Sequence, residues 1–213
     1  MTGPAFVSGF EKLKHKTILV ISGWQYHNIG DIAHTPGLLN LLNTFLPQTN
    51  IILWPGHEVK AIDAMLLNAF PDLEIVYGKV IDGKVDSPEV QKAAQQADFL
   101  LHGSGPSIVG AKKISWWKNH TGKPYEIYGV TVGAVNDTYR ELIDNAEFIF
   151  TRETQSLHIL KEADLNCKTM AFGPDATFAM HLHDERNGIR FMQENNLENK
   201  KFICVIPRLR KTP

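Results

Sequence analysis

Polar residues and glycines cluster at four points where a short apolar run of this sequence ends. The first cluster follows the run Thr17–Ile21 and contains Asn28, Gly30 and Asp31. A glycine lets the backbone approach a ligand closely, and the free amides at the start of a helix attract an anion. The cluster therefore predicts a ligand-binding loop. The alternative is that Asp31 only caps the helix that follows.

The second cluster, His102-Gly103-Ser104-Gly105, follows the run Phe99–Leu101. Two glycines and a serine before a helix are typical of a loop whose backbone amides face a phosphate or a sugar. A tight strand-to-helix turn that needs glycine dihedral angles would give the same pattern. Ser104 lies in no G-x-S-x-G motif, which argues against a hydrolase nucleophile.

The third and fourth clusters add an arginine and an aspartate. Arg152 closely follows the run 148–150, and its guanidinium is suited to binding a carboxylate or a phosphate through two nitrogens. A capping box with Thr151 as the N-cap is the alternative for this segment. Asp175 follows a rigid Gly-Pro turn. Its carboxylate is suited to hydrogen-bonding a sugar hydroxyl or acting as a general base, and the alternative is that it caps a helix beginning near Ala176.

These clusters lie between elements that alternate along the chain. Short apolar runs are typical of strands covered on both faces. They span Thr17–Ile21, Asn50–Trp54, Glu74–Tyr77, Phe99–His102, Glu126–Val132, Phe148–Thr151, Thr169–Phe172 and Phe202–Ile206. Stripes with helical spacing separate them, around Leu38, Met65, Ala93 and Leu160. This alternation predicts an α/β fold with a doubly wound, mainly parallel sheet. Ligands bind at the carboxyl ends of such strands, so the four clusters should share one edge.

The composition excludes several classes of protein. The 213 residues are 43% hydrophobic and 21% charged, which is typical of a globular chain. A net charge of −1 provides no basic excess for a phosphate backbone, so no nucleic-acid partner is predicted. Cys167 and Cys204 are too few for a disulfide framework and suit a reducing cytosol. No apolar run approaches transmembrane length, and His181 and His183 have no evident third metal ligand.

Shorter signals complete the predicted organisation. Asp82-Gly83 predicts a turn or short hairpin, and Trp116-Trp117 predicts core or interface packing. The polar stretch Asp184–Lys201 predicts a helix, and it precedes the predicted strand Phe202–Ile206. We interpret that strand as the start of a second domain of which most is missing from this chain, because no covering helix follows it; an edge strand is the alternative. The expected division is an extension (1–16), a Rossmann-like domain (17–200) and the start of a second domain (201–213).

In their order and positions, the four clusters resemble the polysaccharide pyruvyl transferase family. The matching segments are Asn28-Ile29-Gly30-Asp31, His102-Gly103-Ser104-Gly105-Pro106, Thr151-Arg152-Glu153-x-x-Ser156 and Gly173-Pro174-Asp175-Ala176. The resemblance implies a two-domain architecture similar to the GT-B glycosyltransferases. It implies that a pyruvyl group moves from phosphoenolpyruvate to two sugar hydroxyls of a cell-surface polysaccharide or its precursor, which gives a ketal. The implied partners are phosphoenolpyruvate as donor substrate and a saccharide acceptor, with no cofactor, in the cytoplasm or at the inner face of the membrane.

The resemblance also implies roles for individual residues. Asp175 and Asp31 are the candidates for a catalytic base or hydroxyl anchor. The candidates for substrate binding are Asn28, Gly30, His102, Gly103, Ser104, Gly105, Arg152, Glu153, Ser156 and Arg208. Two other functions stay open at this point: a glycosyltransferase of similar fold that uses a nucleotide sugar, and an inactive truncated remnant that binds a glycan.

Overall fold

A computed structural model describes residues 15–205 of the chain. The chain divides into two compact units, residues 1–181 and 182–213. The strands are β1 (Thr17–Ile21), β2 (Asn50–Leu53), β3 (Glu74–Ile75), β4 (Val80–Ile81), β5 (Lys84–Val85), β6 (Phe99–His102), β7 (Tyr125–Val130), β8 (Ile149–Thr151) and β9 (Met170–Phe172). The α-helices are α1 (Ile29–Phe45), α2 (Lys60–Ala69), α3 (Pro88–Gln96), α4 (Ala111–Thr121), α5 (Asp137–Asp144), α6 (Thr154–Glu162) and α7 (Glu185–Glu194). A short 3₁₀ helix spans Ala176–Ala179.

Seven strands form one sheet in the order β3-β2-β1-β6-β7-β8-β9, and every neighbouring pair is parallel. The chain builds outward from β1 to β3 and then returns to β6 on the other side of β1. The strand order therefore reverses between β1 and β6, where Ile21 pairs with His102. This arrangement confirms the predicted doubly wound α/β fold, and it places the switch point of the topology in the middle of the sheet.

Hydrophobic clusters cover both faces of this sheet. Along β1, Leu19 and Ile21 belong to the cluster that contains α3 to α6, while Ile18 and Val20 belong to the cluster that contains α1 and α2. Because successive side chains of a strand point to opposite faces, a strand buried on both sides becomes apolar throughout. Trp117 is fully buried within the first cluster, as its sequence context predicts.

The predicted hairpin also forms, as an antiparallel pair of β4 and β5 outside the main sheet. Asp82 and Gly83 connect its strands with φ values of 49° and 73°. Positive φ at both central residues matches the tight turn whose twist suits a two-residue hairpin, and Asp-Gly is favoured there.

The second unit contains α7, whose N-cap Asp184 accepts a hydrogen bond from the backbone N–H of Asn187 at 2.9 Å. The predicted strand Phe202–Ile206 is not formed over residues 202–205, which have no regular secondary structure. A strand needs a paired neighbour, and Ile203 is instead 90% exposed. Ile206 and Arg208 lie outside the described residues, and the predicted domain division stays a prediction.

Within residues 15–205, no helix is long and apolar enough to cross a membrane. The same residues contain no group of three or more His, Cys, Asp or Glu side chains arranged to hold a metal ion. Both cysteines are free thiols; Cys167 is buried and Cys204 is exposed.

Candidate functional site

The candidate residues meet at the carboxyl edge of the parallel sheet. Asn28 follows β1, Gly103 follows β6, Arg152 follows β8 and Asp175 follows β9. Since these four strands are parallel, their carboxyl ends lie along one edge. The edge position predicted from the four apolar runs is confirmed.

Asp175 is the centre of a charged network at this edge. Arg152 donates a hydrogen bond from Nη1 to Oδ2 of Asp175 at 2.8 Å. The same oxygen lies 3.3 Å from Nε2 of His34, which is buried in α1. The backbone N–H of Thr177 donates to Oδ1 of Asp175 at 3.0 Å, so the carboxylate also caps the 3₁₀ helix. The capping role proposed for Asp175 from the sequence is present together with the ion pair.

These contacts determine the protonation state of Asp175. Burial works against ionisation, but the hydrogen bonds from His34, the Thr177 amide and Arg152 outweigh it and lower the pKa of Asp175 far below its usual range. A carboxylate with so low a pKa and three donors already in place is a weak proton acceptor near neutral pH. The geometry therefore favours an orienting role over a basic one.

Arg152 is held by a second side chain as well. Its Nε donates to the hydroxyl Oγ1 of Thr131 at 2.8 Å, and its backbone N–H donates to Val130 at 3.1 Å. Nη2 of Arg152 has no hydrogen-bond partner in the part of the chain that the structure describes. About a quarter of the Arg152 side chain (26%) is exposed. Its remaining donors are therefore accessible for an oxyanion.

Close packing between α1 and the 3₁₀ helix brings His34 to Asp175. Gly37 makes this possible, because a Cβ at that position would lie 2.0 Å from the backbone oxygen of Ala176. Ser104 provides a second contact with the 3₁₀ helix, since its hydroxyl accepts a hydrogen bond from the Ala176 N–H at 2.9 Å. The loop after β6, the start of α1 and the segment after β9 are thus held together by buried contacts.

The loop after β1 has its own polar cluster. Asn28 is the N-cap of α1 and accepts a hydrogen bond from the Gly30 N–H at 3.1 Å, so the alternative that Asp31 caps this helix is wrong. Asp31 lies in the first turn, where a carboxylate favours the helix dipole. Its Oδ2 accepts hydrogen bonds from Gln25 and from the Asn28 amide, the latter at 2.8 Å.

Two residues predicted to bind substrate are buried. His102 is fully buried, and its Nε2 accepts a hydrogen bond from the Gly110 N–H at 3.0 Å. Burial lowers the pKa of His102 to about 3, which keeps the imidazole neutral. Ser104 is also fully buried, and its carbonyl accepts the indole N–H of Trp24 at 2.8 Å. The structure therefore places both side chains behind the edge, where they support the loops.

The backbone of Gly105 extends the sheet at this edge. Its N–H donates to Gly129 at 3.3 Å, and its carbonyl accepts from the Thr131 N–H at 3.3 Å. Gly103 faces Leu38 of α1, where an added Cβ would lie 2.8 Å from that side chain. These glycines permit close packing. Neither of them has a positive φ, so the alternative of a turn that needs glycine dihedral angles is wrong.

Glu153, rather than Thr151, is the N-cap of α6. Its carboxylate accepts the Ser156 N–H at 2.7 Å and also the Ser156 hydroxyl. Burial opposes ionisation of Glu153, but hydrogen bonds from Ser156 and from the Thr131 hydroxyl outweigh it and lower its pKa. The capping box predicted with Thr151 as N-cap is therefore wrong in its register, although a cap does form here.

The other half of the edge, beyond β1, carries phenols and a carboxylate. The Tyr26 hydroxyl donates to the backbone oxygen of His57 at 2.8 Å. The Tyr77 hydroxyl is buried, and it has no hydrogen-bond partner of good geometry among residues 15–205. Burial, and then the neighbouring Asp63 carboxylate, raise the pKa of Tyr77 above its usual range. Lys113 caps the end of β2 by donating to the backbone oxygen of Trp54 at 3.0 Å, and burial lowers the pKa of this lysine to about 7.

Sequence reasoning missed Thr131 and His34. The predicted strand Glu126–Val132 ran two residues too far, so Thr131 was counted as strand although it follows β7. Examining the residues that follow each strand would have identified Thr131. His34 lies three residues after Asp31 on α1, on the same side of a helix, and that spacing was the available signal.

These observations define an α/β protein of Rossmann-like fold with a polar site at the carboxyl edge of its sheet. The model of the polysaccharide pyruvyl transferase family matches residues 28–211. The match covers most of the sequence, and the chain belongs to this family of transferases. Comparison with curated proteins yields no match.

Solved structures show likeness in fold alone. A UDP-N-acetylglucosamine 2-epimerase has 13% identity and a TM-score of 0.52, with 80% of this chain and 52% of that one covered. Medicago truncatula UGT71G1 complexed with UDP-glucose has 13% identity, a TM-score of 0.48 and coverages of 75% and 52%. The Neisseria meningitidis UDP-GlcNAc 2-epimerase bound to UDP-GlcNAc has 13% identity, a TM-score of 0.45 and coverages of 85% and 51%. The chain spans about half the length of each of these proteins.

Proposed function

We propose that these residues form part of the site of an enzyme that transfers a pyruvyl group from phosphoenolpyruvate to two hydroxyls of a sugar. The observation that carries the proposal is the Arg152 guanidinium, which Asp175 and Thr131 hold at the carboxyl edge with Nη2 accessible. Guanidinium groups bind phosphate and carboxylate through paired N–H donors. Phosphoenolpyruvate carries both groups, and the family match supplies the class of reaction.

The reaction needs two proton transfers that balance. Carbon C3 of the enol gains a proton, positive charge develops at C2, and one sugar hydroxyl attacks C2 as it loses its proton. The C2–O bond to phosphate then breaks, and the second hydroxyl attacks to close the ketal. One hydroxyl proton ends in the new methyl group and the other leaves with phosphate. A cationic donor at the departing phosphate stabilises the charge that develops on it.

The charges along the edge suggest where each substrate binds. Arg152 follows β8, and its cationic guanidinium suits the anionic donor. The β1–β3 half has the Tyr26 hydroxyl and the Asp63 carboxylate, which suit an uncharged polyol that both donates and accepts hydrogen bonds.

The contacts also divide the roles of the two candidate carboxylates. Asp175 is committed to Arg152, His34 and the Thr177 amide, so we assign it to orienting Arg152. Asp31 accepts both of its hydrogen bonds at Oδ2, and Oδ1 has no partner among the described residues. We therefore assign Asp31 as the anchor and proton acceptor for an attacking hydroxyl.

The test is phosphate release from phosphoenolpyruvate by this protein, with cell-surface polysaccharide fractions as acceptors. Arg152→Ala should raise the KM for phosphoenolpyruvate and lower kcat, with kcat/KM falling about ten- to a hundredfold because a charge-assisted contact is lost. Asp31→Asn should lower kcat with little change in the donor KM. The matched control is Arg190→Gln, which removes the same charge from an exposed pair with Glu194 and should leave both constants unchanged.

Two results would overturn the proposal. One is nucleoside diphosphate release from a nucleotide sugar with no phosphate release from phosphoenolpyruvate, which would indicate a glycosyltransferase. The other is wild-type turnover in Arg152→Ala, which would remove this edge from the donor site.

A further inference from the structure

The side chains around Arg152 form a continuous series across three loops. Thr131 accepts Nε of Arg152, and Nη1 of Arg152 donates to Asp175. His34 completes the series on the far side of Asp175. None of the sequence motifs contains Thr131, although it is the member that binds Nε of the arginine.

A threonine hydroxyl has the right donor and acceptor capacity for this position. It has one proton to give and two lone pairs to receive with. Nε–H of Arg152 can only donate, so a lone pair of the hydroxyl faces it. The direction of this hydrogen bond is therefore fixed by the chemistry of the two partners.

The backbone of Thr131 is itself anchored. Its N–H donates to the carbonyl of Gly105 at 3.3 Å, and the neighbouring Val130 carbonyl accepts the Arg152 N–H at 3.1 Å. Val132 on the other side donates its N–H to the Ser156 hydroxyl at 2.7 Å. Because this backbone is held by hydrogen bonds, the Thr131 hydroxyl has a fixed position and can restrain the long, flexible side chain of Arg152.

Two contacts on different nitrogens fix the plane of a guanidinium, whereas one contact leaves it free to pivot. We propose that Thr131 is a positioning residue: it fixes the Arg152 guanidinium through Nε, while Asp175 holds Nη1, so that Nη2 is presented to an oxyanion of the donor. The binding of an oxyanion by Nη2 rests on the proposed function, whereas the orientation of Arg152 by Thr131 does not.

The experiment pairs Thr131→Val, which keeps the shape and removes the acceptor, with Thr131→Ser, which keeps the hydroxyl. The first measurement is the Arg152 Nε–H resonance of the full chain in ¹H–¹⁵N spectra. We expect this proton to be protected from exchange in wild type and in Thr131→Ser, and to lose its protection in Thr131→Val. Unchanged protection in Thr131→Val would overturn the inference, and a thermal melt of each variant establishes that it is folded.

The second measurement is the affinity for phosphoenolpyruvate, with inorganic phosphate as a smaller probe. Thr131→Val should weaken phosphoenolpyruvate binding roughly tenfold, the size of one hydrogen bond to a charged group, and Thr131→Ser should restore it. In an Arg152→Lys background, which has no Nε–H at this position, Thr131→Val should have no further effect. An equal loss in that background would show a merely structural role and overturn the inference. If wild type binds neither probe, the proposed function fails, and the resonance of Nε–H still decides the role of Thr131.

Discussion

Replacing Gly37 by alanine tests whether close packing of α1 creates the charged network. A Cβ at position 37 would lie 2.0 Å from the oxygen and 2.7 Å from the carbonyl carbon of Ala176. These are backbone atoms, so no side-chain rotation relieves the clash. Either α1 or the 3₁₀ helix must move by about 1 Å or more to reach ordinary van der Waals distance.

A shift of that size would break two contacts of the site. His34 would move out of ion-pair range of Asp175, and the Ser104 hydroxyl would lose the Ala176 N–H. Overpacking costs about 1–3 kcal/mol, and each lost hydrogen bond adds about 1 kcal/mol. The expected loss of unfolding free energy is therefore about 3–5 kcal/mol. For a chain of this size it corresponds to a fall in Tm of roughly 6–20 °C.

The assay is thermal and urea unfolding of wild type, Gly37→Ala and Gly30→Ala. Gly30 lies on the same helix, and its added Cβ would make only ordinary contacts at 3.6 Å or more with Asn28. Gly30→Ala should be neutral or more stable by up to about 1 kcal/mol, because alanine reduces the entropy of the unfolded chain. A Gly37→Ala protein that melts within 2 °C (about 0.5–1 kcal/mol) of Gly30→Ala would refute the packing argument.

Three other predictions concern titration and capping. Asp175→Asn should lower the free energy of unfolding by about 1–3 kcal/mol at pH 7. Because the pKa of Asp175 is lowered in the fold, this contribution is complete above about pH 4 and is lost as the pH falls further. In urea unfolding, the difference between wild type and variant should therefore be smaller at pH 3 than at pH 7. Burial, and then Glu147, raise the pKa of the buried Glu126 to about 8. Wild type should therefore lose stability between pH 5 and 8, while Glu126→Gln loses less. If the unfolding free energies from urea titrations fell equally with pH in both proteins, this would be contradicted. Lys123 donates to three backbone oxygens at the end of α3, and Lys123→Met should speed amide hydrogen exchange in that helix, without a change in the distant α6.

The central strands β1 and β6 were predictable because each is covered on both faces. That environment selects continuous apolar runs, and β1 and β6 begin and end where the sequence places them. The strand Phe202–Ile206 fails over its described residues because its composition matches a buried strand while no ladder partner is present there. Composition reports the tendency of a segment, and pairing is a property of the tertiary fold.

The site was predictable in position and only partly in role. A strand end reveals where a residue lies, which is why Arg152 and Asp175 were found together at one edge. It does not reveal which oxygen a donor selects. Asn28 and Asp31 are both good capping residues, three positions apart, and only the backbone conformation of Asn28, with φ −131° and ψ 125°, decides between them.

Asp175 couples the stability of the fold to the geometry of the site. Its carboxylate caps the 3₁₀ helix, pairs with Arg152 and contacts His34 of α1, so its removal changes the helix cap and the position of Arg152 together. Thr131 differs, because its hydroxyl accepts Nε–H of Arg152 while its backbone is held independently by Gly105. A substitution at Thr131 can therefore turn the guanidinium without disturbing the helix cap. For this reason the arginine's orientation is better tested through Thr131 than through the carboxylate that binds it most strongly.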